Sequence, residues 1–575
     1  MRRGSSIPRA PRLAALTGAA ALALSLSPAP ASACGGFFCD SSQPVNQAAE
    51  RIIFSHGDDG TLTAVIQIQY AGPAESFAWV LPVAGSPEIG VSSNAAFARL
   101  QSATNPQYLL TTRVEGTCRD DGILRASPSD STGGAGDAGA AATDGGAPPV
   151  TVVDSGSVGP YDYVVIAVDP AAEPASDVAV TWLQDEGFDI DDAGAERLAP
   201  YLEGGMNLLA FRLTKGNDTG SIRPVVISFG SGLASIPIRP TAVAAVDDMG
   251  VMVWVLGEHR AVPVNYMSLE LNEALIDWIN PSRNYGDVVT EAANQAGGQG
   301  FVTEMAGAAS PLADSIFSTF ERDAWNAIRA RSWTGRESEL LSSAVGQLGQ
   351  LDGMRDVFAA TVPLPTGTTL DELLACVSCY YGFDATDIDG FDPAAFLASI
   401  DTNVIAPMEA TRAMFEQHSY VTRLYTTMSA DEMTRDPSFD FNADLGDVSN
   451  QHDAERVIEC SPSISQVDAP WRVLLPGGDT VRGSGNTWPF TVGDDDAMPA
   501  NSRILRVGTS GEGEIITDNA AVISEALVDH NVTVGGPPPA STCACRVGAG
   551  GGGTGGAMLS LIALGALLVA RRRRS

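Results

Sequence analysis

Two acidic loops carry the spacing with the clearest chemical meaning. FDFNADLGD places Asp440, Asn442 and Asp444 at alternate positions with Asp447 beyond, and ATDIDGFD places Asp387 and Asp389 before Gly390, with Asp384 and Asp392 flanking. Oxygen ligands two residues apart beside a glycine that permits a sharp turn are what calcium loops use. Neither loop is an EF-hand, because Leu445 stands where the first would need glycine, and Ala385 and Phe396 stand at the first and twelfth positions of the second. Calcium is therefore the one cofactor these spacings suggest, against a plain reading as solvated turns. Other catalytic signatures are missing: there is no GxSxG, no HExxH and no phosphate-binding glycine loop. The five histidines (His56, His259, His418, His452 and His530) have no ligand spacing. His259, beside Glu258 after an apolar strand, reads as a turn residue. No catalytic residue is assigned.

Eight cysteines complete the inventory, six of them in the body: Cys34, Cys39, Cys118, Cys376, Cys379 and Cys460. In an exported chain an even set reads first as disulfides, and six allow 15 connectivities. Cys34 with Cys39 and Cys376 with Cys379 are close enough for local loops, which would leave Cys118 with Cys460, but spacing does not choose among the 15, and lipidation of Cys34 would break that scheme. Redox chemistry at the CxxC of Cys376 would need a thioredoxin-like setting, and zinc would need a second ligand pair.

The two ends argue for export. Arg2, Arg3, Arg9 and Arg12 precede an apolar run from Leu13 to Leu26 and the small residues PAPASA, so 1–33 reads as a signal peptide cut after Ala33. That cut makes Cys34 the first mature residue, the position a lipoprotein signal also uses, although Ala31 stands where such a signal favours leucine. At the far end a Pro/Gly-rich stalk and sorting motif (535–556, with Cys543 and Cys545) leads into an apolar helix and four arginines (557–575). Arginines stay on the cytoplasmic side, which leaves the body outside. The apolar run is shorter than the roughly 20 residues that span a hydrocarbon core. The expected partners are thus the export machinery, a sorting protease and, through the tail, a membrane. Formal net charge is −35. Without the four leader and four tail arginines it is −43, a balance that repels nucleic acid and favours divalent cations or basic partners.

The elements that must position any site follow from periodicity. TLTAVIQIQY alternates as a half-buried strand, and FAWVLPV across the next turn is expected to pair with it antiparallel. From 119 to 159 the composition of Gly, Ala, Ser, Asp and Pro predicts a disordered insertion. Strands are expected over 161–168, 207–213, 222–229 and 251–257, with helices over 178–186 and 193–202. WVL recurs at Trp79 and Trp254, too little to establish a repeat. Tyr285, Val288, Val289, Ala292 and Ala296 share one face of a helix over 284–296, with Gly297 as its C-cap. A second helix is expected over 312–331 with Ile316, Phe317, Phe320, Ala324 and Ile328 as its stripe. The fold class is α+β: a β-rich amino half (34–310), a helical middle (311–455), a small β-rich part (456–534) and a single C-terminal hydrophobic helix.

Two resemblances sit on these residues. CGGFFC, AERIIF, IQIQY, FAWVLPV, AVPVNY, LNEALIDW, EAANQAGGQGFVTE and the stretch from Arg423 to Asn450 resemble the bacterial domain of unknown function 2330 family, which implies no assigned activity and no catalytic residue. TCACRVGAGGGGTGGAMLSLIALGALLVARRRRS resembles the myxobacterial C-terminal sorting signal (MYXO-CTERM), which implies cleavage near Cys543 or Cys545 and retention at the cell surface; an ordinary tail anchor is the other reading. The chain thus reads as an exported, cell-surface, non-enzymatic binding or structural protein. An extracellular hydrolase working through carboxylates is the alternative.

Overall fold

The computed structural model describes residues 46–57, 59–71, 78–119, 150–169, 174–188, 190, 192–213, 222–382, 388–493 and 498–534. Its centre is a ten-stranded mixed sheet, whose strands in chain order are β1 (Asn46–His56), β2 (Leu62–Ala71), β3 (Glu88–Val91), β4 (Val225–Phe229), β5 (Ala245–Gly257), β6 (Met267–Leu271), β7 (Gly300–Ala308), β8 (Tyr420–Met428), β9 (Asn501–Arg506) and β10 (Glu514–Asp518). Across the sheet they run β10-β9-β6-β7-β8-β5-β1-β2-β4-β3. Two neighbouring pairs, β1 with β5 and β6 with β7, are parallel. The strands come from all three segments into which the sequence divides the body.

The central strands are buried on both faces, which is why they read as apolar runs rather than clean alternations. On β1, Ile52 and Phe54 enter one core while Ile53 enters another; on β5, Val251, Val253 and Val255 separate in the same way from Met252, Trp254 and Leu256. The first core lies under a four-stranded sheet, ordered Ala78–Val83, Asn207–Leu213, Tyr161–Val168, Val150–Val158. The second is roofed by helices between Ser310 and Gln417 together with Asn94–Thr104. A third core, around Trp278, Trp471 and Trp488, joins the helix Tyr285–Gln295 to another four-stranded sheet that includes Gln107–Glu115 and Gln451–Glu459.

Several expectations hold as read. The helices Ala175–Asp185, Asp192–Glu203 and Tyr285–Gln295 form, and Gly297 takes the left-handed conformation (φ 73°) with its N–H donating to Asn294. The cysteines pair as Cys118–Cys460 and Cys376–Cys379. Cys34, Cys39, Ala33, Cys543, Cys545 and Asp387, with the leader and the tail, lie outside the described residues. Among the described residues no helix is long and apolar enough to cross a membrane.

Others are corrected. The strand beginning at Ala78 does not pair with β2; it pairs with Asn207–Leu213, because both edges of β2 are taken by β1 and β4. The insertion is shorter at its far end than composition implied, since Val150–Val158 is a strand on Tyr161–Val168; 120–149 lies outside the described residues. The helix expected over 312–331 is two helices, Ser310–Ile316 and Thr319–Arg329. Ser318 restarts the chain with a capping box to Glu321, and the register change leaves Phe320 77% exposed. The small β-rich part also ends in a helix, Ala520–Thr533. The two WVL tripeptides occupy unlike places, one in the smaller sheet and one at the middle of the large one.

Candidate functional site

The side chains of β8 gather the polar groups of the interior. Arg423, Tyr425 and Thr427 are two residues apart and so point the same way from the strand. Arg423 is buried. Its Nε lies 2.6 Å from Glu304 Oε2 on β7, with both side chains at most 2% exposed. Its Nη1 donates to Thr104 Oγ1 (2.9 Å), its Nη2 donates to Asn105 Oδ1 (2.8 Å), and the guanidinium stands 5.6 Å from the Trp254 ring. Trp254 in turn donates to the same Thr104 oxygen, and Tyr285 donates its hydroxyl to Glu304 Oε1 at 2.5 Å. Burial raises the Glu304 carboxyl above the ordinary glutamate range, against the pull of Arg423 and the Tyr285 hydroxyl. The Tyr285 hydroxyl is raised well above its ordinary value, first by burial and then by Glu304. This cluster bolts β7, β8, β5 and two helices together.

Beside it the surface opens. Helix Tyr285–Gln295 buries Val288, Val289 and Ala292 and turns Asp287, Thr290 and Glu291 outward. With Tyr425, Thr427, Asp248, Gly286 and Val492 they line a groove of about 400 Å³. Thr427 and Thr290 share a hydrogen bond of 2.9 Å across its floor. Among the described residues Asp248 is the one non-glycine with a left-handed backbone (φ 54°), held by its N–H donating to Ser429 Oγ. Burial and the nearby Glu304 raise the Tyr425 hydroxyl, so it stays a neutral donor at physiological pH. Three carboxylates, two threonine hydroxyls and a phenol around an open groove suit a cationic, hydrogen-bonding ligand.

The acidic loops are differently employed. Asn442 is buried; its amide donates to the carbonyls of Gly508 and Gly511 (2.7 and 2.9 Å) and its Oδ1 accepts from the Asp444 N–H. Asp444 Oδ2 accepts from the Gly511 N–H, Asp440 accepts from the Phe441 N–H, and Asp447 accepts from the Tyr420 hydroxyl. The expected loop is thus in part a strand: Asp440 and Asn442 stand on Ser438–Asn442, which pairs with Arg260–Pro263, and only Asn442 and Asp444 are stitched to residues 508–511. Asp389 is exposed in a turn before the helix Pro393–Ile400, which Asp392 caps. Among the described residues no three His, Cys, Asp or Glu side chains form a metal-holding group.

Of the histidines, His259 is exposed, and His452 pairs with Glu273 (2.7 Å) while stacking on Tyr108 (4.6 Å). His418 Nε2 lies 2.8 Å from Ser55 Oγ, the spacing of a base and a nucleophile. Ser55, however, is only 7% exposed inside the β1 ladder, so the contact serves to tie β1 to the turn before β8. The Glu304–Arg423 pair was not singled out from sequence. Its one available signal was a charged residue in the middle of each of two otherwise uncharged strands, GFVTEMAGA and YVTRLYTTM.

These features define a large mixed-sheet α+β protein, braced inside by an ion pair and open outside in an acidic groove. The chain belongs to a family of uncharacterized proteins conserved in bacteria (DUF2330), whose model matches residues 28–319. The match takes in helix Tyr285–Gln295, Asp248 and Glu304 but ends before β8. No curated protein and no solved structure matches the chain.

Proposed function

We propose that the chain is an exported, surface-held, non-enzymatic binding protein that takes a cationic partner in the groove beside helix Tyr285–Gln295. The observation that carries this reading is the groove itself, with Asp248, Asp287 and Glu291 around the hydroxyls of Thr290, Thr427 and Tyr425. A net charge of −35 brings such a partner toward it. The leader and the two disulfides support export, since such cross-links persist in oxidising compartments. The arginine-ended tail supports attachment through a membrane and processing by a sorting protease.

Calorimetric titration with a lysine-rich decapeptide tests the groove. Asp287→Asn with Glu291→Gln is expected to weaken binding about tenfold, roughly 1.4 kcal/mol. Added salt is expected to weaken the parent complex further, because exposed charges are screened within about 8–10 Å. Equal affinity of parent and variant would remove the groove from the reading. Turnover of a peptide, ester or glycan, lost on replacing one carboxylate, would replace it with the hydrolase alternative.

Calcium at Asp440, Asn442 and Asp444 is the remaining proposal. Ion saturation at 100 times Kd adds about 2.7 kcal/mol, read as a higher melting point in calcium than in EDTA. Identical melts would mean that the bonds to Gly508 and Gly511 hold the loop unaided.

A further inference from the structure

The two disulfides differ in what they hold. Cys118–Cys460 joins residues 342 apart, at the ends of two paired strands. Cys376–Cys379 closes a separation of three at the surface of the helical layer, from Cys376, which joins the helices Leu370–Ala375 and Val377–Tyr381, to Cys379 within the second. Cys379 is exposed and Cys376 half-buried, so an attacking thiolate can reach the bond. The turn around it is pinned by other means: Leu373 and Val377 are buried in the second core, Tyr381 donates to the Pro363 carbonyl, and Ser338 donates to the Gly382 carbonyl at 2.5 Å. Opening this bond removes no core contact. The entropy a disulfide withholds from the unfolded chain grows with the loop it closes, so this one adds little to the fold.

We propose that Cys376–Cys379 is an exchangeable disulfide, reduced and reoxidised by an external dithiol while the fold and Cys118–Cys460 stay intact. In the step itself a thiolate of the dithiol attacks Cys379 Sγ. The Cys376–Cys379 bond breaks, Cys376 leaves as a thiolate and takes up a proton, and a mixed disulfide forms at Cys379. The second thiol of the reductant then displaces Cys379. Two electrons pass from the dithiol, which becomes a disulfide, and two protein thiols result. The site is thus a substrate for thiol–disulfide exchange and not itself an oxidoreductase centre.

The mature protein equilibrated in graded ratios of reduced to oxidised dithiothreitol, quenched with iodoacetamide and mapped by peptide mass spectrometry, tests this. Alkylation of Cys376 and Cys379 is expected at a ratio on the order of 100-fold below that needed for Cys118 and Cys460. Near-ultraviolet circular dichroism is expected to be unchanged at the first midpoint. Cys376→Ser with Cys379→Ser is expected to melt close to the parent. Joint opening of both disulfides, or opening of the smaller one only on denaturation, overturns the proposal. So does a large loss of stability in the double serine variant, which would make the bond structural.

Discussion

Arg423→Met is expected to lose about 3–5 kcal/mol at neutral pH, the range for breaking a buried pair by removing one partner. The arginine is ion-paired with Glu304 and donates to Thr104 and Asn105 at once, and methionine replaces none of these contacts. Folded proteins hold only about 5–15 kcal/mol in all, so the melting point should fall steeply. The loss carries a pH signature. Burial already raises the Glu304 carboxyl and Arg423 pulls it back, so without Arg423 the folded-state value climbs further above the unfolded one. A carboxyl raised in this way contributes stability as the neutral acid below its unfolded pKa, and that contribution is lost as pH rises through the folded value. The deficit of the variant should therefore widen from mildly acidic to neutral pH in paired denaturant titrations. Glu304→Gln added to Arg423→Met should recover part of it by removing the orphaned charge. A deficit under about 1 kcal/mol, the level of a surface pair, would show that the cluster does not brace the sheet.

Cys118→Ala with Cys460→Ala is expected to cost about 5 kcal/mol, because the chain-entropy relation grows with the logarithm of the closed loop. The separation of 342 makes this loop span most of the body. The native state should change little. Gln107–Glu115 and Gln451–Glu459 stay paired along nine residues each, and the Cys460 N–H still donates to the Glu115 carbonyl. The loss thus acts through the unfolded chain, which expands once the link is gone. Urea titration should show a lower midpoint together with a steeper slope, since the slope follows the surface exposed on unfolding. A lower midpoint at unchanged slope would place the effect in the native state instead.

Local chemistry made much of the architecture legible. The helix Tyr285–Gln295 and its glycine cap rest on residues within a dozen positions of one another, and so do the strands Asn207–Leu213 and Val251–Gly257. Spacing made the short Cys376–Cys379 loop readable, but Cys118 with Cys460 stayed one choice among the 15 connectivities of six cysteines until the fold set their Cα atoms 4.7 Å apart. Capping was the local rule that the apolar stripe concealed: Ser318 and Glu321 outweigh the continuity of Ile316, Phe317 and Phe320, and one helix becomes two.

Tertiary structure decided the rest. Strand partners depend on which edges remain open, so β2 took β1 and β4 and left Ala78–Val83 to a second sheet. The groove exists because β8 brings Tyr425 and Thr427 to a helix that ends 130 residues earlier in the chain. Asp440, Asn442 and Asp444 have the spacing of ion ligands, but the approach of residues 508–511 gives the Asn442 amide and the Asp444 carboxylate partners that the local chain does not supply. Composition, charge and periodicity act over a few residues. The site is set by contacts between segments hundreds of residues apart, which no local pattern records.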